Sequence, residues 1–146
     1  MSVGTGLYTY SDAKTVISRG SYSGSGSAIS VGLQAHGASI DASDAHFQGY
    51  DQAVTMYGTG GEQSGDFSRC DLHGQFKVNG DGVDDMSVVV RHSRISHFGG
   101  TINLAAVSGT SVRVAGTELS GDPVSGPVEC VAVWDEGTGF YPNTCP

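Results

Sequence analysis

A large apolar residue, followed by a polar one and in most cases a glycine, returns five times along the chain: Tyr22 in GSYSG, Phe47 in AHFQG, Leu72 in CDLHG, Ile95 in SRISHF and Leu119 in TELSG. The separations are 25, 25, 23 and 24 residues. A sequence that redraws one pattern at such a period folds as stacked repeats rather than as a single irregular core. Flanking columns agree. Two residues before each anchor stand Gly20, Ala45, Cys70, Ser93 and Thr117, all small, and five before it stand Ile17, Ala42, Phe67, Val90 and Val114. Seven and nine after it come Ile29 and Val31, Val54 and Met56, and Ile102 and Leu104, with Phe76 and Val78 filling those columns after a shortened turn.

The runs between turns are short and rich in Val and Ile, 23 glycines punctuate them, and no stretch has a capped 3.6-residue apolar period. That makes the fold class all-β. Each unit holds about three alternating strands, and such a unit buries its inner face only by stacking on its neighbours. The sequence therefore predicts one domain, 1–146: a solenoid of about five coils over residues 14–133, an N-terminal cap at 1–13 and an aromatic tail at 134–146. A propeller would need units of roughly 40 residues, and an immunoglobulin-like sandwich would not keep one register over five units.

These columns resemble the right-handed parallel β-helix family of pectate lyases, polygalacturonases and phage tailspikes, over Lys14 to Val133. The resemblance implies a right-handed coil and raises two kinds of activity. Asp81-Gly82-Val83-Asp84 looks like the Asp-Gly-(Ile/Phe)-Asp segment of polygalacturonases. With Asp85, Arg91 and His97 it makes the set an enzyme of this type would use, carboxylates for acid and base roles or for calcium-assisted elimination. The family's further Asp pair, Gly-His-Gly and Arg-x-Lys have no counterpart, nor has the lyase Arg-x-Pro-x-x-Arg. Turn chemistry accounts for Asn79-Gly80-Asp81-Gly82 by itself.

Fifteen acidic residues against seven Lys and Arg give a net charge of -8. That disfavours nucleic acid as a partner. The column one before the anchors reads Ser21, His46, Asp71, Arg94, Glu118, and the column three before reads Arg19, Asp44, Arg69, His92, Gly116. Their alternating signs predict ion-pair ladders between successive coils. Gly58-Thr59-Gly60-Gly61 lacks the features of a phosphate loop, and no spacing suggests zinc, so no cofactor or metal is expected; calcium at Asp81–Asp85 stays open. No run approaches the ~18 apolar residues of a membrane span, and Met1–Gly6 shows no basic n-region, so neither a membrane partner nor an export signal is expected.

Cys70 falls at an inward position, as a small buried hydrophobe would. Cys130 and Cys145 bracket the tail, and both a disulfide and two free thiols fit. Solenoid ends need covering, and Leu7, Tyr8, Tyr10, Trp134, Phe140 and Tyr141 are the candidates for end caps or an interface. Tyr50 and Tyr57, near a turn, could stack on sugar rings.

The expected function is a non-catalytic structural or binding module. The leading form is a virion surface protein of a tailed phage, a capsid decoration, minor capsid or spike component. It would assemble in the host cytoplasm as a homotrimer and dock to a larger protein assembly. Two alternatives are a β-helix polysaccharide lyase or glycoside hydrolase, and an extracellular module that binds surface glycan without turnover.

Overall fold

The computed structural model describes residues 3–10, 13–25, 29–59, 61–80, 86–97, 104–106, 110–121, 124–135, 137 and 139–146. Their strands are β1 (Val3–Tyr10), β2 (Lys14–Ser23), β3 (Ile29–His36), β4 (Ser39–Tyr57), β5 (Gln63–Ser68), β6 (Asp71–Asn79) and β7 (Met86–Arg91). There follow β8 (Arg94–Ser96), β9 (Leu104–Ala106), β10 (Thr110–Ala115), β11 (Glu118–Ser120), β12 (Val128–Val131), β13 (Val133–Asp135) and β14 (Phe140–Tyr141). No described residue is helical.

Apart from β14, which pairs antiparallel with β13, the strands stack in parallel as a solenoid of three faces. On the first face Ile17, Ala42, Phe67, Val90, Val114 and Cys130 lie in one column. On the second, Tyr22, Phe47, Leu72, Ile95 and Leu119 do so, and the sixth position is taken by Asp135. The third face stacks Leu7, Leu33, Val54, Phe76 and Leu104. The expected five coils resolve as about four turns of ~24 residues, because the last step, from Val114 to Cys130, takes only 16 residues.

The third-face register differs from the expected one. Leu33 and Ala35, not Ile29 and Val31, pair with Val54 and Met56, and Leu104 and Ala106, not Ile102 and Leu104, pair with Phe76 and Val78. The turn from the second face to the third varies in length, whereas the corner from the first face to the second is a single residue in every coil.

That corner explains two of the sequence columns. Arg19, Asp44, Arg69, His92 and Ala132 have φ between 50 and 63°, and Gly116 has φ 53°. Each of these side-chain-bearing residues costs about 1–2 kcal/mol in the left-handed region, so the surrounding hydrogen bonds have to hold it there. They do so on both sides. Arg69 N–H donates to Arg91 O at 3.1 Å and His92 N–H to Ala115 O at 3.0 Å, while Arg94 N–H donates back to Cys70 O at 2.9 Å. At Cys70 and Ser93 one inward-turned N–H remains, and the next member of the small-residue column supplies its acceptor. Cys70 N–H donates to Ser93 Oγ at 3.0 Å, and Ser93 N–H to Thr117 Oγ1 at 3.3 Å. The hydroxyls in turn donate to Arg91 O and Ala115 O.

Buried Ser93 is thus a backbone substitute rather than a surface group. Ser93→Ala leaves the Cys70 N–H buried without an acceptor and should cost about 1–3 kcal/mol in chemical unfolding. A neutral result would show that the hydroxyl column does not satisfy the corner.

Glycine follows the anchor because the second turn brings backbones together. A Cβ on Gly49 would collide with the Gln52 carbonyl, and one on Gly74, whose φ is 134°, with Gly49 O and Ala53 N. Inside the solenoid, Phe47, Phe67 and Phe76 form edge-to-face pairs with centroids 6.3 and 5.1 Å apart, a geometry that favours ring quadrupoles beyond area burial.

Candidate functional site

Residues one before each anchor point outward on the second face, because side chains alternate along a strand. His46 Nδ1 lies 3.0 Å from Asp71 Oδ2, and Arg94 Nε lies 3.2 Å from Glu118 Oε1. At the corner, Arg69 donates from Nε and Nη2 to the two carboxylate oxygens of Asp44 at 2.7 and 2.8 Å. The first face adds Arg91 with Asp66, and Arg113 with Glu129 at 3.9 Å. The Arg91–Asp66 pair runs diagonally, Asp66 being opposite Val89 in the register. Column reading alone does not reveal it.

Every one of these pairs joins successive coils. They are partly solvated and act mainly on register. Asp71→Asn or Arg94→Gln should therefore change unfolding free energy by about 1 kcal/mol or less. A larger loss in either variant would show a desolvated interaction that the exposed geometry does not account for.

The second face also holds a pair that the sequence reading passed over. His73 Nδ1 lies 2.8 Å from Ser96 Oγ. Burial is the main cause that lowers the His73 pKa, which favours the neutral ring, and in the tautomer protonated at Nε2 its Nδ1 accepts a hydrogen bond from the Ser96 hydroxyl. Both residues stand one after an anchor, 23 residues apart, and that column would have found them. The Asp71 carboxylate, whose charge His73 feels, is bonded to His46. The arrangement is a polar strip running across coils: His46, Gln48, His73 and Ser96.

Of the expected enzyme set, Asp81, Asp84 and Asp85 lie outside the described residues. Arg91 is exposed and committed to Asp66. His97, in the column where most coils carry glycine, places Nε2 3.2 Å from the backbone O of Asp51. Arg91 and His97 thus serve contacts with different coils. A hollow of about 380 Å³, lined by Glu62, Gln63, Ser64 and Ser87, sits where β5 and β7 begin. Among the described residues no group of three or more His, Cys, Asp or Glu is placed to hold a metal ion. No helix of the described residues is long and apolar enough to cross a membrane.

The end residues take different positions. Leu7 is half-buried against the core, while Tyr8 and Tyr10 are exposed. Trp134 and Phe140 face each other at 5.3 Å across the antiparallel pair β13–β14. Cys130 and Cys145 are joined by a disulfide, and Cys70 is free and buried. Burial pushes the Cys70 thiol up, away from reactivity.

Asp135 organises the tail. Its carboxylate accepts from Gly139 N–H at 2.7 Å, Tyr141 Oη–H at 2.9 Å and Gly137 N–H at 2.9 Å. Led by the Gly139 bond, these hold its carboxyl below its ordinary value of 3.8. Asp44 is held low in the same direction, chiefly by the hydrogen bonds from Arg69. Both groups bind protons less readily folded than unfolded. Their contribution to stability is complete above that ordinary value and is lost as pH falls through the lower, folded values. Acid titration of the thermal midpoint should show this fall in wild type, and less of it in Asp135→Asn.

Comparisons with protein-family models, with curated proteins and with solved structures return no match.

Proposed function

We propose that the chain is a non-catalytic structural module, a surface component of a tailed-phage virion such as a capsid decoration, minor capsid or spike protein. The observation that carries this reading is how the outward charges are used. Five acid–base pairs on the first two faces and their corner join successive coils, which registers the stacked strands. Reacting carboxylates in an enzyme are instead kept in perturbed environments near one another. The disulfide-closed C-terminal end supports the same reading, since such a bond persists in the oxidising surroundings that a released particle meets.

Short solenoids have a high ratio of end to core, and symmetric association is a common way to cover such surface. A homotrimer docked to a larger assembly is the proposed working form. Antibody labelling of purified particles of a phage encoding the chain should decorate the virion at regular positions, and mass-resolved light scattering of the free protein should give a closed trimer. Particles that lack the chain would overturn the virion reading, and a monodisperse monomer would overturn the trimer.

The lyase or hydrolase alternative rests on Asp81, Asp84, Asp85, Arg91 and His97. Arg91 and His97 are held in separate contacts, which favours the structural reading.

A further inference from the structure

The two ends of the solenoid are finished differently. At the C-terminal end the chain's own tail takes up edge groups: β14 turns back antiparallel on β13, Ala132 N–H donates to Pro142 O at 2.9 Å, and the disulfide ties Cys145 to Cys130. At the N-terminal end, among the described residues, β1 pairs only with β3 and β2 only with β4. A strand so placed presents a row of N–H and C=O groups to a further strand.

The interior columns are also less covered here. Tyr22 heads the second-face column and is only partly buried, whereas Phe47 and Leu72, the next two members, are fully enclosed. Leu7, which heads the third-face column, is likewise only partly buried. On the outward side of β2, Val16 leaves 67% of its surface in water.

Charge says what kind of strand fits. Four of the seven Lys and Arg are ion-paired with acids of a neighbouring coil. Lys14 and Arg19, both on β2, have no ion pair among the described residues. Arg19 stands next to Asp44 in the corner column, but both oxygens of that carboxylate are bonded to Arg69. An acid one coil further out, on the other side of Arg19, would complete the alternation. Residues 1–23 hold two bases and one acid, so the net charge of -8 belongs to the rest of the chain, and salt screens it beyond about 8 Å. The two edge cations repel a second copy of the same edge, and the C-terminal end is occupied by its own tail, so the chain itself is a poor occupant.

We propose that the open edge of β2 takes up an extended acidic segment of a partner protein, added as one further strand with an acid beside Arg19 and apolar side chains laid on Ile17 and Tyr22. Main-chain hydrogen bonds supply the attachment, and the two cations select the partner. The inference goes beyond the virion reading and does not depend on it.

The probe is a synthetic peptide with the sequence of residues 39–48, SIDASDAHFQ, a segment that already matches β2 in register from the other side. A second peptide carries Asp41→Lys/Asp44→Lys. Each is dye-labelled and titrated with the full chain, fluorescence anisotropy giving the affinity and amide NMR shifts the place of contact. The acidic peptide should bind with its shifts concentrated in β2, and the lysine peptide should not bind. Lys14→Glu/Arg19→Glu should weaken the acidic peptide by about tenfold or more and take up the lysine peptide instead. Lys77→Glu, on the third face, should change neither. Thermal melting separates lost binding from lost folding, and Arg19→Gln, which removes the charge and keeps a polar side chain, reads the same weakening should the double variant not fold. Absence of binding by the acidic peptide, equal binding of both peptides, shifts outside β2, or an affinity unmoved by these β2 variants would overturn the proposal. So would self-association of wild type through β2, which would make a second copy the occupant.

Discussion

Phe47→Ala is expected to lower unfolding free energy by about 3–5 kcal/mol, and Leu72→Ala by about 2–5 kcal/mol. Both side chains are fully enclosed, at 0% exposure. They occupy adjacent coils of one interior column, so each is packed from above and below as well as across the solenoid. The Phe47 ring lies 5.3 Å from that of Tyr22 and 6.3 Å from that of Phe67. Truncation removes apolar area and leaves a gap that β-strands, fixed by ladders on both sides, collapse into poorly. Urea unfolding followed by circular dichroism measures the loss. A stable Phe47→Ala variant would mean that the anchor column is not the interior of the fold.

Reduction of Cys130–Cys145 should have the next largest effect. The bond closes a loop with a sequence separation of 15 residues, for which chain-entropy reasoning gives about 3 kcal/mol. Cys130 is the sixth residue of the first interior column, so the bridge ties the tail to the last packed level. It also encloses Asp135, Gly139 and Tyr141, whose hydrogen bonds then have to form against a looser chain. Reductant, or Cys145→Ser, should lower the thermal midpoint and leave the far coils folded. A midpoint indifferent to reductant would contradict a closing role for the bridge.

What was legible in the sequence follows from the geometry of the turns. Ile17 through Val114 and Tyr22 through Leu119 were found because the corner between the first two faces is one left-handed residue in each coil, which keeps both columns at a constant spacing. The second turn is not constant. Leu33 comes nine residues after Gly24, Val54 five after Gly49 and Phe76 two after Gly74, so a fixed offset from the anchor misplaces Ile29, Val31 and Ile102. The same drift hid the alignment of Tyr10, His36 and Tyr57. Within residues 1–13, expected to cover the N-terminal end, Val3–Tyr10 forms a strand on the third face, in register with Ile29–His36, a pairing the sequence columns did not include.

Charge pairing was legible where it stays within a column, as in His46–Asp71 and Arg94–Glu118. It was not legible where it runs diagonally, as in Asp66–Arg91. The small-residue column was visible as a size constraint. Its second role, in which Ser93 and Thr117 accept corner N–H groups, needed the left-handed φ values to be seen.

Product release from polysaccharides tests the central claim most directly. Purified protein incubated with polygalacturonate, alginate and bacterial capsule, with and without Ca²⁺, should release neither reducing sugar nor unsaturated product, whatever it binds. Turnover that disappears in Asp84→Asn or Asp85→Asn would contradict the structural reading and establish the chain as a lyase or hydrolase.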